Sequence, residues 1–396
     1  MKTIGVFFGS RSTEHDISII TAQLIISGLK GLGYPVVPVY LTKKGEWMID
    51  EALGELKRFT DPTKIVEENN VYKEYFLDLE NSHGKLVLKK KGFSGKTVII
   101  DIAFPALHGP YGEDGIIQGI FEMFDVPYVG CDVASSSLAM DKALTKQICQ
   151  ANGIPITKYV YFYKNEWQEN KEMLLNLIAK KLTWPLFVKP VHLGSSIGIT
   201  KVKNKKGTDL EDAIDVALYY DNKVLVEEGV ENVMDATCCI VGNKELQASA
   251  LQESAFQSDL FDFNEKYLKE GGSQLGKSKS GIVIPARVSD MMMRKIQQMA
   301  KEVYRALGCS GISRVDFLLN KKTNELFVAE VNPLPGTLYH HLWKASGVEF
   351  DELLRLLIGF AEERQENKKT IMSYFQSSVL ANLNSAKLNS KGSKLT

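Results

Sequence analysis

The sequence has no excess of charge of either sign and few cysteines. Its 396 residues carry 48 basic and 48 acidic side chains, so the formal net charge is zero. This balance argues against nucleic-acid binding, which usually needs a basic face. The five cysteines form no C-x-x-C pair, and their odd number fits a reducing compartment better than a disulfide framework or a zinc site. We therefore expect a soluble, cytoplasmic protein.

Long apolar runs and the two commonest nucleotide loops are also absent. No run approaches the roughly 20 residues of a membrane span, and the first apolar run is too short for a signal peptide. Neither a Walker A pattern nor G-x-G-x-x-G occurs. The apolar content of 44% is nevertheless that of a globular protein. At about 100–200 residues per domain, the length indicates two or three domains.

The order of strand and helix patterns predicts an α/β fold. An apolar run at 3–8 precedes a helical pattern at 17–29 and a second apolar run at 35–41, which is typical of a parallel sheet. Residues 50–97 are less regular, and we interpret them as an insertion. Further predicted strands cover 98–104, 184–190, 197–203, 223–228, 236–242, 245–252, 313–319 and 325–331. Further predicted helices cover 114–125, 132–152, 209–220, 290–307 and 349–363, and a polar loop covers 257–281.

The first motif follows the predicted strand at 98–104. It reads HGPYGEDGIIQG (108–119), and its four glycines let the backbone approach a ligand closely. Glu113 and Asp114 suit capping of the next helix. A tight turn with a capped helix is the alternative. However, His108 stands at the carboxyl end of a strand, the usual ligand position in open α/β sheets.

The second motif, KPVHLGSSIG (189–198), joins two predicted antiparallel strands. Lys189 follows an apolar strand, so its ammonium group can be held in place. The loop offers backbone N–H groups and the hydroxyls of Ser195 and Ser196, which can enclose phosphate oxygens. A plain Gly/Ser hairpin is the alternative interpretation.

The third motif combines SRVDF (313–317) and VAEVNPLPGT (328–337) on two strands that can pair as a hairpin. Strand alternation places Glu330 and Asn332 on one face, and Asp316 can join them. Three oxygen ligands of this kind suit Mg²⁺ completed by phosphates and water. The alternative is a surface ion-pair ladder, against which the apolar neighbours argue.

Together these motifs resemble the D-alanine–D-alanine ligase family of the ATP-grasp superfamily. The resemblance runs from about Ile4 to Glu363. It rests on the motifs above, including EVNPLPGT (330–337) of the third, and on four further stretches: GSRSTEHDIS (9–18), YVG…SSLAMDK (128–142), VLVEEGVE (224–231) and FDFNEKY (261–267).

This resemblance implies a three-domain ATP-grasp architecture, α/β at the N-terminus and α+β in the part that clasps ATP. The expected N-terminal domain covers 1–141, the central ATP-grasp subdomain 142–231 and the C-terminal catalytic domain 232–363. A flexible polar tail would follow at 364–396. The family also implies a homodimer and a role in peptidoglycan precursor synthesis.

The chemistry implied by the resemblance uses ATP and Mg²⁺. ATP would phosphorylate the carboxylate of a first D-alanine, and the amine of a second would attack the acyl phosphate, releasing ADP and phosphate. Lys142 and Lys189 would hold the α and β phosphates, and Lys266 the γ-phosphate. The other implied nucleotide contacts are Ser195 and Ser196 in the loop, Glu227 and the backbone near Val230 at the adenine, and Asp235 at the ribose.

The resemblance also implies substrate and catalytic residues. Glu14, helped by His108, would bind the ammonium group of the first D-alanine. Arg314 and the backbone N–H of Gly336 would stabilise the oxyanion of the tetrahedral intermediate. The remaining implied residues are Ser195 and Tyr267, which close loops over the site, and Asp316, Glu330 and Asn332, which bind two Mg²⁺ ions or Mn²⁺ in their place.

One segment departs from the family pattern. The usual N-T-x-P-G-[MF]-T reads NPLPGTLYHHL (332–342) here, with Pro333 in place of the threonine. His341, beside Leu342, falls where a serine contacts the carboxylate of the second substrate. His340 and His341 can be a structural helix start. Alternatively, His341 can meet that carboxylate as an imidazolium ion, with a pH dependence in the titration range of histidine.

Three hypotheses follow. The leading one is an active ligase of two D-alanines. The second keeps the chemistry but changes the acceptor to D-lactate, D-serine or another small D-amino or hydroxy acid. The third is a catalytically silent ATP-grasp protein that binds nucleotide as a sensor or scaffold. Such a protein is expected to lose the metal carboxylates or Arg314, but the sequence retains them.

Overall fold

The computed structural model describes residues 1–60, 75–90, 92, 95–203, 208–254, 281–372 and 374–377. Its α-helices, in chain order, are α1 (His15–Gly31), α2 (Lys57–Thr60), α3 (Ile116–Met123), α4 (Val133–Met140), α5 (Lys142–Ala151), α6 (Lys164–Lys181), α7 (Asp209–Tyr220), α8 (Asp290–Ala306), α9 (His340–Ala345) and α10 (Phe350–Lys369). Its strands are β1 (Ile4–Gly9), β2 (Val36–Leu41), β3 (Trp47–Ile49), β4 (Tyr75–Leu77), β5 (Leu86–Lys90), β6 (Thr97–Ile100), β7 (Ile102–Pro105), β8 (Tyr159–Tyr163), β9 (Leu186–Pro190), β10 (Thr200–Val202), β11 (Lys223–Glu228), β12 (Val233–Gly242), β13 (Gln247–Ala248), β14 (Gln252–Ser254), β15 (Ile282–Val283), β16 (Gly311–Asn320) and β17 (Leu326–Asn332). The predicted mixed α/β class is confirmed.

The N-terminal sheet has the strand order β3-β2-β1-β7, and β1 runs parallel to both β2 and β7. Every residue of β1 is buried, as expected for a parallel strand covered on both faces. The carboxyl ends of β1 and β7 lead directly to Glu14 and His108. The sheet therefore brings two of the predicted substrate residues to one edge.

The prediction of a single strand at 98–104 is wrong, because the chain passes from one sheet to another at Asp101. Its carboxylate accepts the Thr3 N–H at 2.7 Å, and its own N–H donates to the Thr3 carbonyl at 2.9 Å. The residues before it form β6, which joins the antiparallel sheet β4-β5-β6. The predicted insertion at 50–97 thus contains most of a small sheet.

The single helix predicted at 132–152 is also wrong. Asp141 ends α4 and begins α5 with an extended backbone, at φ −84° and ψ 101°. Its carboxylate accepts the N–H groups of Ala143 and Leu144, both at 2.9 Å. Since capping by aspartate stabilises a helix start, this break fixes Lys142 in the first turn of a new helix.

Two antiparallel sheets carry the remaining motifs. The order of one is β10-β9-β11-β8, and β9 pairs with β10 as the predicted hairpin around the Gly/Ser loop. The order of the other is β15-β14-β12-β16-β17, with β13 also pairing to β12. The strand predicted at 245–252 is divided between β13 and β14. In the β16–β17 pair, Asp316 lies opposite Glu330 and Arg314 opposite Asn332.

The last helix continues beyond the predicted end at 363. Arg364 donates to the carbonyls of Gly130 and Tyr128 at 2.6 and 2.7 Å, and its guanidinium lies 4.1 Å from the centre of the Tyr128 ring. Residues 364–369 are therefore helical, and the predicted tail begins too early. Residues 378–396 of the predicted tail and residues 257–280 of the loop predicted at 257–281 lie outside the described residues. Among the helices that the structure describes, none is long and apolar enough to cross a membrane.

Candidate active site

Glu14 and Ser195 bring the first and second motifs together. Glu14 immediately precedes α1, but its side chain does not cap the helix. Instead, its buried carboxylate accepts a hydrogen bond from the Ser195 hydroxyl. A Cβ atom at Gly194 would lie 2.9 Å from Glu14 Oε2, and one at Gly109 would lie 3.0 Å from it. Glycine at both positions thus lets two loops close on this carboxylate.

His108 lies beside this carboxylate region as a neutral, buried imidazole. Its Nε2 lies 2.9 Å from the Thr21 hydroxyl. Burial, reinforced by the charge of Arg314, lowers the pKa of His108 to about 4. A Cβ atom at Gly336 would lie 3.9 Å from the His108 ring. The predicted substrate residues Glu14, His108 and Gly336, which come from three separate parts of the sequence, therefore adjoin one another.

Glu113 is a buried carboxyl group that sequence reasoning misinterpreted as a helix cap. Its Oε2 accepts the Gly109 N–H at 2.7 Å, whereas the capping role belongs to Asp114, which accepts the Ile116 N–H at 3.1 Å. Burial and the neighbouring Glu14 raise the pKa of Glu113 to about 8. Glu113 is thus mostly protonated at neutral pH.

Lys142 links the second motif to the third. Its Nζ donates to the Leu193 carbonyl at 2.6 Å and lies 3.4 Å from Glu330 Oε2. The side chain is buried, so the ammonium group is held between the start of the Gly/Ser loop and the predicted metal ligands.

Lys189 and Glu227 form a buried ion pair with a second lysine that the sequence did not indicate. Lys146 Nζ lies 2.7 Å from Glu227 Oε2, and the Thr157 hydroxyl donates to the same oxygen at 2.6 Å. Lys189 contacts the other carboxylate oxygen. Burial alone would raise the pKa of Glu227, but the two lysines lower it well below its usual range. Adenine contact by Glu227 stays a prediction, since its carboxylate is already ion-paired.

The predicted metal ligands converge on Arg314. The guanidinium donates to both oxygens of Asp316, with Nη2 to Oδ2 at 2.6 Å, and lies 3.7 Å from Glu330. Asn332 Nδ2 donates to Asp316 Oδ2 at 3.3 Å, and Thr237 donates to Oδ1 at 2.8 Å. No group of three or more His, Cys, Asp or Glu suited to a metal ion occurs among the described residues.

The loop after β17 completes this cluster. Three successive residues, Thr337, Leu338 and Tyr339, have positive φ angles between 48° and 54°, a conformation that is uncommon for such side chains. Tyr339 is buried with its ring centre 4.8 Å from the Arg314 guanidinium. Strain of this kind persists where the surrounding structure fixes it, and it is often found at functional sites.

The surroundings of His341 disfavour the imidazolium ion, and its contact with the second substrate stays a prediction. Burial, followed by the charge of His340, lowers the pKa of His341 to about 4. Its Nε2 donates to Gln252 Oε1 at 2.8 Å, while Nδ1 is buried and has no hydrogen-bond partner among the described residues. His340 contacts the Thr337 carbonyl at 3.2 Å, as expected for a structural residue at a helix start.

Of the remaining predicted site residues, four lie in the part of the chain that the structure describes and two do not. Burial lowers the pKa of Lys189, but Glu227 and, to a smaller extent, Glu330 and Asp235 favour the ammonium form and raise that pKa, so Asp235 lies near Lys189. Ser196 has a positive φ of 60° in the loop. Val230 and Leu342 lie beside β11 and within α9. Lys266 and Tyr267 lie outside the described residues.

The ammonium groups of Lys142 and Lys189 therefore adjoin carboxylates, on two antiparallel sheets beside a mostly parallel α/β sheet. This fold and site define the ATP-grasp class of carboxylate–amine ligases.

Comparison with known proteins gives a more specific result. A family model described as D-ala D-ala ligase N-terminus matches residues 3–131, and one described as D-ala D-ala ligase C-terminus matches residues 148–359. The chain is 37% identical over 378 residues to the D-alanine–D-alanine ligase of Chloroherpeton thalassium, covering 93% of this chain and 98% of that protein. It is 38% identical over 371 residues to that of Thermosipho melanesiensis, covering 94% and 96%.

Solved structures agree with these matches. The D-alanine–D-alanine ligase of Coxiella burnetii has a TM-score of 0.75 at 28% identity, covering 93% of this chain and 98% of that chain. The VanG D-Ala:D-Ser ligase of Enterococcus faecalis has a TM-score of 0.75 at 33% identity, covering 91% and 99%. The chain therefore belongs to the D-alanine–D-alanine ligase family.

Proposed function

We propose that this chain ligates two D-alanines to D-alanyl-D-alanine, coupled to conversion of ATP to ADP and phosphate, as a step in peptidoglycan precursor synthesis. The observation that carries the proposal is a set of contacts that runs from Glu14 to Ser195, along the loop backbone to the Leu193 carbonyl, and then through Lys142 and Glu330 to Arg314. Both parts of the family model support it. A silent nucleotide-binding protein is disfavoured, because the metal carboxylates and Arg314 are all present.

The first D-alanine would bind where Glu14 and His108 adjoin. A substrate ammonium group can pair with the Glu14 carboxylate, and the neutral His108 ring adds no positive charge that would repel it. Because Glu113 is mostly protonated at neutral pH, the pocket presents one carboxylate to one ammonium group. The match in charge favours an amino acid as the activated substrate.

The phosphates of ATP would lie between Lys142, Lys189 and the loop that carries Ser195 and Ser196. Phosphoryl transfer depends mainly on positioning and on neutralisation of charge. The buried ion pair with Glu227 fixes Lys189 at this place. Lys142, in the first turn of α5, adds a second ammonium group near the positive end of the helix.

Asp316, Glu330 and Asn332 fit Mg²⁺, with Mn²⁺ as a substitute. The carboxylates of Asp316 and Glu330 lie directly opposite each other in an antiparallel strand pair, where Arg314 and Lys142 balance part of their charge. Oxygen donors of this type are those preferred by Mg²⁺ in sites completed by phosphates. The metal would supply charge neutralisation for the transferred phosphoryl group.

Peptide-bond formation would follow when the amine of the second D-alanine attacks the acyl phosphate. Arg314 and the Gly336 N–H would stabilise the oxyanion, and the bidentate bond with Asp316 holds the guanidinium in a single orientation. Ser195, bonded to Glu14, would help close the loop over the site. Exclusion of water protects the acyl phosphate from hydrolysis.

The acceptor is D-alanine in this proposal, with D-serine as a second candidate. The second candidate is favoured by the likeness to the D-Ala:D-Ser ligase structure and by the replacement of the usual motif at 332–342. A neutral His341 beside Gln252 offers hydrogen bonding rather than charge to an acceptor. D-lactate, which lacks the amine, gains no evident advantage from this environment.

An acceptor screen tests the proposal. With ATP, Mg²⁺ and each of D-alanine, D-serine and D-lactate, we expect D-alanine to be used about tenfold or more faster than the others. Because the pKa of His341 is held near 4, the order of preference should stay constant from pH 6 to 9. Phosphate release measures the rate with each acceptor at each pH, and the product mass identifies the acceptor that was used. A preference that changes in this range in the native chain, but not in His341→Ser, would contradict the neutral state assigned to His341.

We also infer a cytoplasmic enzyme acting on small molecules alone, without nucleic acid or membrane partners. All five cysteines are free and buried, which suits a reducing compartment. A homodimer and the domain boundaries at 141/142 and 231/232 stay predictions.

A further inference from the structure

His192 lies at the start of the Gly/Ser loop, between two carboxylates that belong to different elements. Its Nδ1 lies 3.0 Å from Asp221 Oδ2, at the C-terminal end of α7, and its Nε2 lies 3.2 Å from Asp141 Oδ2, at the start of α5. Its backbone N–H also donates to Asp221 at 2.7 Å. The ring thus connects two helix ends and the loop.

We propose that His192 is a positioning residue, whose ring joins Asp141 to Asp221 and thereby fixes the loop at 193–198 against the start of α5. This proposal rests on the proposed ligase activity. The residues on either side of this link are the ones that handle substrate. Lys142 immediately follows Asp141 and donates to the Leu193 carbonyl at 2.6 Å.

The link needs the doubly protonated ring. Carboxylates only accept hydrogen bonds, so both bonds require an N–H donor on each ring nitrogen, and only imidazolium has two. A neutral ring can keep one of the two bonds and must release either Asp141 or Asp221.

The charges around the ring favour the cation. Desolvation at this partly buried position lowers the pKa of His192, but the hydrogen bonds and charges of Asp141 and Asp221 outweigh it and raise the pKa to about 9. A second cation at this cluster is Lys223 on β11, which lies 2.7 Å from Asp141 Oδ2. Two carboxylates and two cations therefore balance at neutral pH.

The sign of the pH effect follows from this raised pKa. The link is fully present at and below neutral pH and is lost as the pH rises through about 9. Above that pH the loop should lose its fixed position, although the backbone N–H groups of His192 and Lys223 still hold Asp221.

The test compares pH profiles of kcat/KM for ATP in the native chain, His192→Gln and His192→Arg. At pH 7.5 we expect His192→Gln to lose between about tenfold and a hundredfold, because misplacement of a binding loop has effects of this size. His192→Arg keeps a cation with several donors, so it should retain activity within about threefold and decline at a higher pH than the native chain. The exposed histidine variant His83→Gln serves as a control with an unchanged profile.

A second measurement does not depend on activity. In NMR spectra of histidine-labelled protein, the resonance that disappears in His192→Gln should titrate near pH 9, and in Asp221→Asn it should titrate at least one pH unit lower. Titration of His192 near the ordinary histidine pKa of about 6.5 would overturn the proposal. Equal pH profiles of kcat/KM in the native chain, His192→Gln and His192→Arg would overturn it too. If the NMR titrations are as expected but the native chain is inactive, the ligase activity is rejected and the link through His192 is not.

Discussion

Arg314→Ala lowers kcat by roughly 10²–10³, because it removes a preorganised donor to the oxyanion of the tetrahedral intermediate. ATP affinity should change by less than about fivefold, since the oxyanion exists only after the acyl phosphate is attacked. In the structure Arg314 is buried, bonded to both oxygens of Asp316 and stacked near Tyr339. Arg314→Lys should restore little, because a lysine cannot reproduce the bidentate geometry.

The measurement combines steady-state phosphate release with calorimetric titration of an ATP analogue. Arg305→Ala, at an exposed position of α8, is the matched control and should keep native kinetics. If Arg314→Ala weakens nucleotide binding as much as it lowers kcat, then the guanidinium serves mainly to balance Asp316 and Glu330. The oxyanion role would then be incorrect.

The strands of the site could be predicted well because their apolar patterns are strong. The residues of β9, β11, β16 and β17 are consistently buried on one or both faces, and each lies close to its predicted range. Pairing of Asp316 with Glu330 followed from a short hairpin between adjacent strands. Local pattern and short connections therefore determine this part of the fold.

The breaks at Asp101 and Asp141 could not be predicted, because their causes are distant in the sequence. Asp101 is held by the backbone of Thr3, and Asp141 by Lys223 and His192 as well as by its own helix. A periodicity argument considers one segment at a time. It cannot detect a side chain recruited by a partner about 50 to 100 residues away.

Protonation states in the site were the least predictable feature. Glu113 and His341 have ordinary sequence contexts, yet burial shifts the pKa of the first to about 8 and of the second to about 4. Lys146 gave no signal at all, although it lies in an amphipathic helix pattern and ends fully buried on Glu227. Such states depend on desolvation and on neighbouring charges, which only the three-dimensional structure brings together.

Glu227→Gln should destabilise the protein by about 3–5 kcal/mol, because it removes the carboxylate that pairs with two buried ammonium groups. The carboxylate is 1% exposed and is shared by Lys146 and Lys189. Lys146→Met should cost less, since Glu227 then keeps Lys189 and the Thr157 hydroxyl. Denaturant unfolding at pH 7 measures the difference, and the exposed neighbour Glu231→Gln should stay within about 0.5 kcal/mol of the native chain.

The pH dependence of this loss has a definite sign. The two lysines depress the pKa of Glu227 against the opposing effect of burial, so its stabilising contribution is complete above the ordinary glutamate pKa of about 4.3 and declines as the pH falls further. The difference in free energy of unfolding between the native chain and Glu227→Gln should therefore be largest near neutral pH and decrease below about pH 4. A difference of less than about 1 kcal/mol at pH 7 would mean that water reaches the two ammonium groups, and Lys189 would then not be fixed by its ion pair.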